Sequence, residues 1–328
     1  MSIATTRRHV AALASQGRVS REHGVAILTP NKPGAVTTPM PQAKDTTIGV
    51  IVAHNTYLEI VAEALRREAS RRNVRALVEV VRSSEQIEAA HHRLRRAGCF
   101  GMVFAPEWGT PEDVDRPLPF RADESMPVVL AGRDVDMGHP LFGVDSVVAD
   151  HAYAIRLAVE HLHRLGHRRI LFAVMAGAFT SRLLSERFDA ECRRLTLPTL
   201  RPALTTPGLG GSFEAILTSI TEHEATAIIV HTETRALDMV REMRRHGWRV
   251  PQDCSVVGYD DLVGPVDGIG LTTVSPPKHQ LAYEVMSLLM RRHARMRAGL
   301  DAPPVTHVRL LPDLVVRDST SVVDISRR

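Results

Sequence analysis

Two successive runs of alternating strand and helix patterns leave this chain few folds to choose from. Residues 48–52 form a short apolar run with strand character, and 58–71 carry Ile60, Val61, Ala64, Leu65 and Ala69 at helical spacing. The alternation continues with a strand at 76–81, a helix at 84–97, and strands at 100–104 and 126–130. Apolar strands separated by amphipathic helices predict a parallel sheet covered on both faces. After Val144 the pattern restarts: helix 148–165, strand 168–174, helix 181–194, strand 226–230, helix 233–246 and strand 254–258. Two such halves predict an α/β protein of two Rossmann-like lobes with a ligand cleft between them.

Within the second half, 247–274 is the most informative stretch. Ala236, Leu237, Val240 and Met243 recur at helical spacing before it, and Arg244, Arg245 and His246 load the last turn. Gly247 supplies a helix stop, because a left-handed cap costs glycine nothing, and Pro251 blocks continuation. The run from Ser255 to Tyr259 reads as a buried strand with Asp260 and Asp261 directly at its carboxyl end. In open α/β sheets ligands bind in the crevice beyond the strand ends.

The wording of this stretch, RVPQDCSVVGYDD followed by LTTV, resembles the effector-binding core of the lactose-repressor (LacI/GalR) family of transcription regulators. IGVIV (48–52), MPVVLAGRDVD (126–136), the stretch from 144 to 172 and LLPDLVVRDST (310–320) fall in that family's order and spacing. The resemblance therefore covers 46–320. It implies the periplasmic-binding-protein type I architecture, with a first lobe of about 46–144 and 278–300. The second lobe would take about 145–274 and 303–320, leaving 321–328 as a tail. Helix 278–297 would return to the first lobe, and a strand near 314–316 to the second.

The same resemblance implies the cleft residues. His54, Asn55 and Tyr57 follow the first strand, Arg133 and Asp134 follow another, and Asp260 closes the GYD turn. Aspartates and arginines beside an aromatic ring suit a polyhydroxylated ligand, offering acceptors and donors to vicinal hydroxyls and a face to the apolar sugar surface. Alternatives stay open at several positions. Asp145 is either a ligand residue or a turn residue at the lobe crossing, and Asn55 is equally an N-cap. The family's Asn-Asp pair is replaced by Thr232-Glu233, which implies a differently shaped ligand. Its helix arginine corresponds to Arg182 or Arg187, with the register left open.

Residues 1–30 read as one helix and a basic hairpin. Thr5 or Thr6 caps a helix carrying Val10, Leu13 and Ala14 on one face, and Gly17 ends it. Two short strands follow, around a turn at His23-Gly24. This resembles the recognition helix and wing of DeoR-type regulators, with GntR-type close behind. It implies that Thr5, Thr6, Arg7, Arg8, Arg18, Arg21 and His23 face DNA, the arginines reaching phosphates or guanine edges. The helices that normally precede a recognition helix are missing, so the expectation is a partial winged helix-turn-helix, either truncated or numbered from a downstream start. Residues 31–45 are rich in Pro and Thr and read as an extended linker, with prolines that disfavour a hinge helix.

Several classes are excluded. No apolar run approaches the ~20 residues that span a bilayer, so no membrane partner is expected. Residues 1–17 lack a secretory apolar core, and Cys99, Cys192 and Cys254 are odd in number and far apart, which points to a reducing cytoplasm. The net charge of +4 is too small to indicate nucleic acid by itself. His163 and His167 sit four apart, but Gly166 ends the helix between them and no further ligand completes a metal set. No nucleophile–base pair or phosphate loop is present, so neither an enzyme nor a cofactor is expected. The expectation is a homodimeric, ligand-responsive regulator binding operator DNA and a sugar-like effector; the rival is a solute-binding module without DNA-binding function.

Overall fold

A computed structural model describes residues 19–22, 25–28, 46–83, 85–106, 126–135, 141–174, 179–202, 213–262, 264 and 268–323. The chain divides into two compact units, Met1–Gln42 and Ala43–Arg328. In the first, strands β1 (Val19–Glu22) and β2 (Val25–Leu28) pair antiparallel, with Val19 opposite Leu28 and Arg21 opposite Ala26. The two strands expected there are present. The expected helix with Thr5, Thr6, Arg7 and Arg8, the linker, and also Arg18 and His23, lie outside the described residues.

The described residues of the second unit form two sheets. One is six-stranded and wholly parallel, in the order β12-β7-β6-β5-β3-β4. Its strands are β3 (Thr47–Ala53), β4 (Arg75–Val81), β5 (Met102–Ala105), β6 (Val128–Ala131), β7 (Asp145–Ala149) and β12 (His307–Leu310). The other is five-stranded, in the order β13-β11-β10-β9-β8, from β8 (Ile170–Ala173), β9 (Ala227–Val230), β10 (Ser255–Tyr259), β11 (Thr272–Ser275) and β13 (Asp313–Val315). Only β13 runs antiparallel, against β11.

Helices cover both faces of each sheet, which is why the inner strands are continuously apolar. Helices α1 (Thr56–Arg71) and α7 (Lys278–Arg297) pack together on one face of the six-stranded sheet, burying Leu58, Val61, Leu65, Leu281, Val285 and Leu289. Helix α2 (Glu85–Arg96) covers the other face through Ile87, Ala90 and Leu94. On the second sheet, α3 (His151–Arg164) and α4 (Phe179–Arg194) lie on one face, with Phe172 stacked on Phe188. Helices α5 (Phe213–Glu222) and α6 (Glu233–Arg245) cover the opposite face. Each such aliphatic or aromatic side chain contributes about 1.5–3 kcal/mol when fully buried. The stop read at Gly247 is real: α6 ends at Arg245 and Gly247 sits at φ +78°.

Two boundaries differ from those expected. The sequence pattern placed residues 145 onward in the second lobe and started a helix at 148. Instead 145–149 form β7, hydrogen-bonded to β6 and β12 in the first sheet, and the helix starts only at His151. Strand β12, within the expected second lobe, likewise belongs to the first sheet. The reason is local. Val147, Val148 and Ala149 are equally compatible with a buried strand and a helix start, and Asp150 decides by capping α3 through the Tyr153 N–H at 2.8 Å. The chain thus passes between the sheets three times: from β7 into α3, from β11 into α7, and from β12 to β13.

Candidate ligand-binding cleft

The carboxyl ends of strands from both sheets meet in one buried polar cluster. The first sheet contributes Tyr57, in the first turn of α1 after β3, and Arg133, two residues past β6. His151 follows β7. The second sheet contributes His231, the residue after β9, and Tyr259 and Asp260 at the end of β10. Their charges act on one another: Asp260 and Arg133 influence Tyr57, and Arg133 influences Asp260, His151 and His231.

Asp260 is the centre of this arrangement. It is 4% exposed and takes φ +104°, with Asp261 following at φ +51°, so β10 ends in two left-handed residues that turn the chain sharply. Its N–H donates to Val274 O at 2.9 Å, and its carbonyl accepts from Lys278 Nζ at 2.5 Å. Among the described residues no hydrogen bond reaches its side-chain oxygens. Burial pushes its carboxyl up to about 8; Lys278 and Arg133 oppose this, and the Glu233 carboxylate adds to it.

Asp261 is treated differently. Ser275 Oγ donates to it at 3.0 Å and Arg317 at 2.7 Å. Burial alone would raise this carboxyl, but the Arg317 and Ser275 bonds outweigh it and hold it below the usual range. Asp261 therefore anchors the turn while Asp260 faces the cleft.

The aromatic and imidazole groups are held neutral. His151 Nδ1 and Tyr259 Oη are hydrogen-bonded at 2.8 Å, and the His231 ring meets Tyr259 edge-on at 5.3 Å. Burial lowers His151 to about 4, with Arg133 adding to the effect, and lowers His231 to about 3, with His151 and Arg133 adding. Burial also raises both tyrosines well above their ordinary value. Arg133 is fixed by main-chain carbonyls: its Nε donates to Pro106 O, and Nη1 to Gly132 O at 3.1 Å. The Nδ1 of His231 is buried without a hydrogen-bond partner among the described residues. Beside His231, about 250 Å³ of space continuous with solvent is lined by Phe213, Ile216, Met239 and Arg235.

Tyr57, Arg133 and Asp260 come together in the cluster. Thr232 stands at the N-cap of α6, half-buried and without a side-chain capping bond, while neighbouring Glu233 is fully buried and accepts the Leu262 N–H. Asn55 caps α1, its Oδ1 accepting from Tyr57 N at 3.0 Å and Leu58 N at 3.3 Å. His54 is exposed and paired with Glu59 at 2.8 Å. Arg182 and Arg187 are both exposed on α4, but only Arg187 acts on His151.

Asp145 requires correction. It begins β7, at the amino end of a parallel strand and so at the edge opposite the cleft. Its carboxylate is consumed by Arg292 (Nη2 at 2.7 Å, and Nε) and by the Thr306 N–H at 2.7 Å. It is a structural residue. His167 is equally structural, bonded to Thr226 at 2.8 Å and Ser321 O at 3.0 Å.

Sequence reasoning missed His151, His231 and Lys278. Each lies within three residues of a strand's carboxyl end, and that position was the available signal.

Residues 159–320 match the family profile described as periplasmic binding protein-like domain. A regulator of Streptomyces limosus, "uncharacterized HTH-type transcriptional regulator in aml 5'region", is 36% identical over 185 residues, covering 53% of this chain and 50% of that protein. The chain spans about half the length of the curated relatives it matches. The dimeric Lac repressor with an 11-residue C-terminal deletion superposes with a TM-score of 0.70 at 23% identity, covering 85% of this chain and 100% of that one. A LacI family regulator from Enterococcus faecium, solved with bound ribose, gives a TM-score of 0.66 at 19% identity over 85% and 100%. The resemblance read from the sequence is borne out for the two-lobed part, which has the periplasmic-binding-protein type of fold. No helix among the described residues is long and apolar enough to cross a membrane.

Proposed function

We propose that this chain is a ligand-responsive transcription regulator whose two lobes close on a small, polar, polyhydroxylated effector of the sugar class. The buried cluster joining Tyr57 and Arg133 of one lobe to Asp260 of the other carries this reading. A carboxyl without side-chain hydrogen bonds among the described residues, beside a guanidinium and rings from both sheets, matches vicinal hydroxyls presented with an apolar ring face. A ligand touching both lobes binds one lobe arrangement better than the other, and that differential affinity is what a switch requires. The regulator names of the relatives and the ribose in one structural neighbour support the same reading.

In this reading the chain works as a homodimer on operator DNA, with no cofactor and no catalytic step, in the cytoplasm. Arg187, rather than Arg182, completes the donor set, and Thr232 with Glu233 shapes the second-lobe wall. The test is a thermal-shift screen of the full chain against neutral, amino, acidic and phosphorylated sugars, followed by salt-titrated binding to DNA from around its own gene. A sugar that stabilises the chain and changes DNA affinity supports the proposal. Sugar binding without DNA binding leaves a solute-binding module. Turnover of the bound sugar overturns the regulator reading.

A further inference from the structure

The edge of the first sheet opposite the cleft is lined with arginines. In a parallel β/α layer each helix runs back against the strands, so helix carboxyl ends and strand amino ends share one edge. Three helices end there. Main-chain bonds fix the positions: Arg75 N to Thr46 O at 2.7 Å after α1, Phe100 N to Thr47 O at 2.9 Å after α2, and Ser146 N to Thr306 O at 3.0 Å after α7.

The last turns and the residues after them carry Arg71 and Arg75, then Arg95 and Arg96, then Arg295 and Arg297. Five of these are exposed and Arg295 is half-buried. Some of this charge is met within the lobe. Glu68 is shared between Arg71 and Arg72, Asp145 is buried against Arg292, and Arg295 Nε donates to the main chain of Asp301. Neither Arg75 nor Arg96 forms an ion pair among the described residues.

Helix dipoles favour basic residues at carboxyl ends by about 0.3–1 kcal/mol each. That accounts for some of the set, but not for Arg75, which starts a strand. Six strands at ~4.8 Å spacing make the edge about 24 Å across, enough to span a major groove of about 12 Å and its flanking phosphates. The chain also enters this lobe at the same edge, at Thr47.

We infer that the arginine edge is a second contact surface for duplex DNA, taking backbone phosphates without reading bases. The inference rests on the regulator reading above. Each phosphate contact steepens the fall of log affinity with log salt by about 0.9. Its test is the full-length R75E/R96E variant in salt-titrated binding to a duplex from upstream of its own gene and to a scrambled duplex. The expected result is a slope shallower by about 2 on both duplexes, weaker binding at every salt concentration, and an unchanged preference between them. R245E, a second-lobe surface variant, is expected to bind as the parent does. A parental slope in R75E/R96E overturns the edge contact and leaves the regulator reading standing, whereas a parent chain that binds neither duplex overturns both. Loss of preference between the duplexes overturns the phosphate-only contact. If the charge reversal unfolds the chain, R75Q/R96Q with the parental slope overturns the contact equally.

Discussion

Asp145 and Asp260 are both almost fully buried at strand ends, and the fold puts them to opposite uses. Asp145 starts a strand, where helix α7 brings Arg292 and the approach to β12 brings the Thr306 N–H, and every stabilising partner a carboxylate needs is in place. Asp260 ends a strand, where two neighbouring cations are held by carbonyl groups instead, and its carboxyl is left to take up a proton near neutral pH. Burial alone therefore does not distinguish a carboxyl tied into the structure from one left without side-chain hydrogen bonds among the described residues. The supply of partners does, and in a parallel sheet that supply differs between the two edges.

The largest expected effect sharpens this contrast through stability. Asp145→Ala strands Arg292, which is 15% exposed, and is expected to cost about 3–5 kcal/mol in urea unfolding. Asp260→Asn is expected to leave stability in the absence of ligand unchanged or slightly raised. An equal loss in both variants would abolish the distinction. Next in size, Asp260→Asn is expected to weaken binding of the sugar found in the screen by about 2- to 10-fold in calorimetry at neutral pH, where the carboxyl is protonated and a neutral hydrogen bond contributes about 0.5–1.5 kcal/mol.

The third expectation concerns pH. Folded His151 and His231 titrate near 4 and 3, below the unfolded value, so their contribution rises with pH up to about 6.5. Folded Asp260 titrates near 8, far above its unfolded value, so its contribution falls between about 4 and 8. Two rising terms outweigh one falling term below about 6.5, and only the falling one remains above it. The urea midpoint should therefore peak near pH 6.5 and decline toward 8, and Asp260→Asn should remove the decline. A decline that persists in that variant would show that Asp260 is not its source. The smallest effect is at Asn55, where alanine is expected to cost about 1 kcal/mol as a lost N-cap while affinity for the sugar changes less than twofold. A larger affinity loss would move Asn55 from cap to ligand contact.

Much of this was legible beforehand, and the remainder was not for identifiable reasons. Apolar strands such as 255–259 and amphipathic helices such as 56–71 announce themselves by period, and Gly247 and Pro251 mark their ends. Strand β7 did not, because its five residues run straight into α3 and share that helix's apolar character. Helix α5 and strand β12 were not anticipated either. Asp260 was found from its place at a strand end. His151, His231 and Lys278 become neighbours only when two sheets meet, and no local pattern encodes that meeting.

The three passages between the sheets have a consequence for synthesis on the ribosome. The face of β5, β6 and β7 that α7 covers is made early, but Leu281, Val285 and Leu289, which seal it, emerge only when most of the chain has been made. Strand β12, the edge of the same sheet, comes later still. Until then the nascent first lobe exposes an apolar surface and an open strand edge, the features that recruit chaperones or neighbouring nascent chains. A ribosome stalled anywhere before Lys278 releases no finished lobe at all.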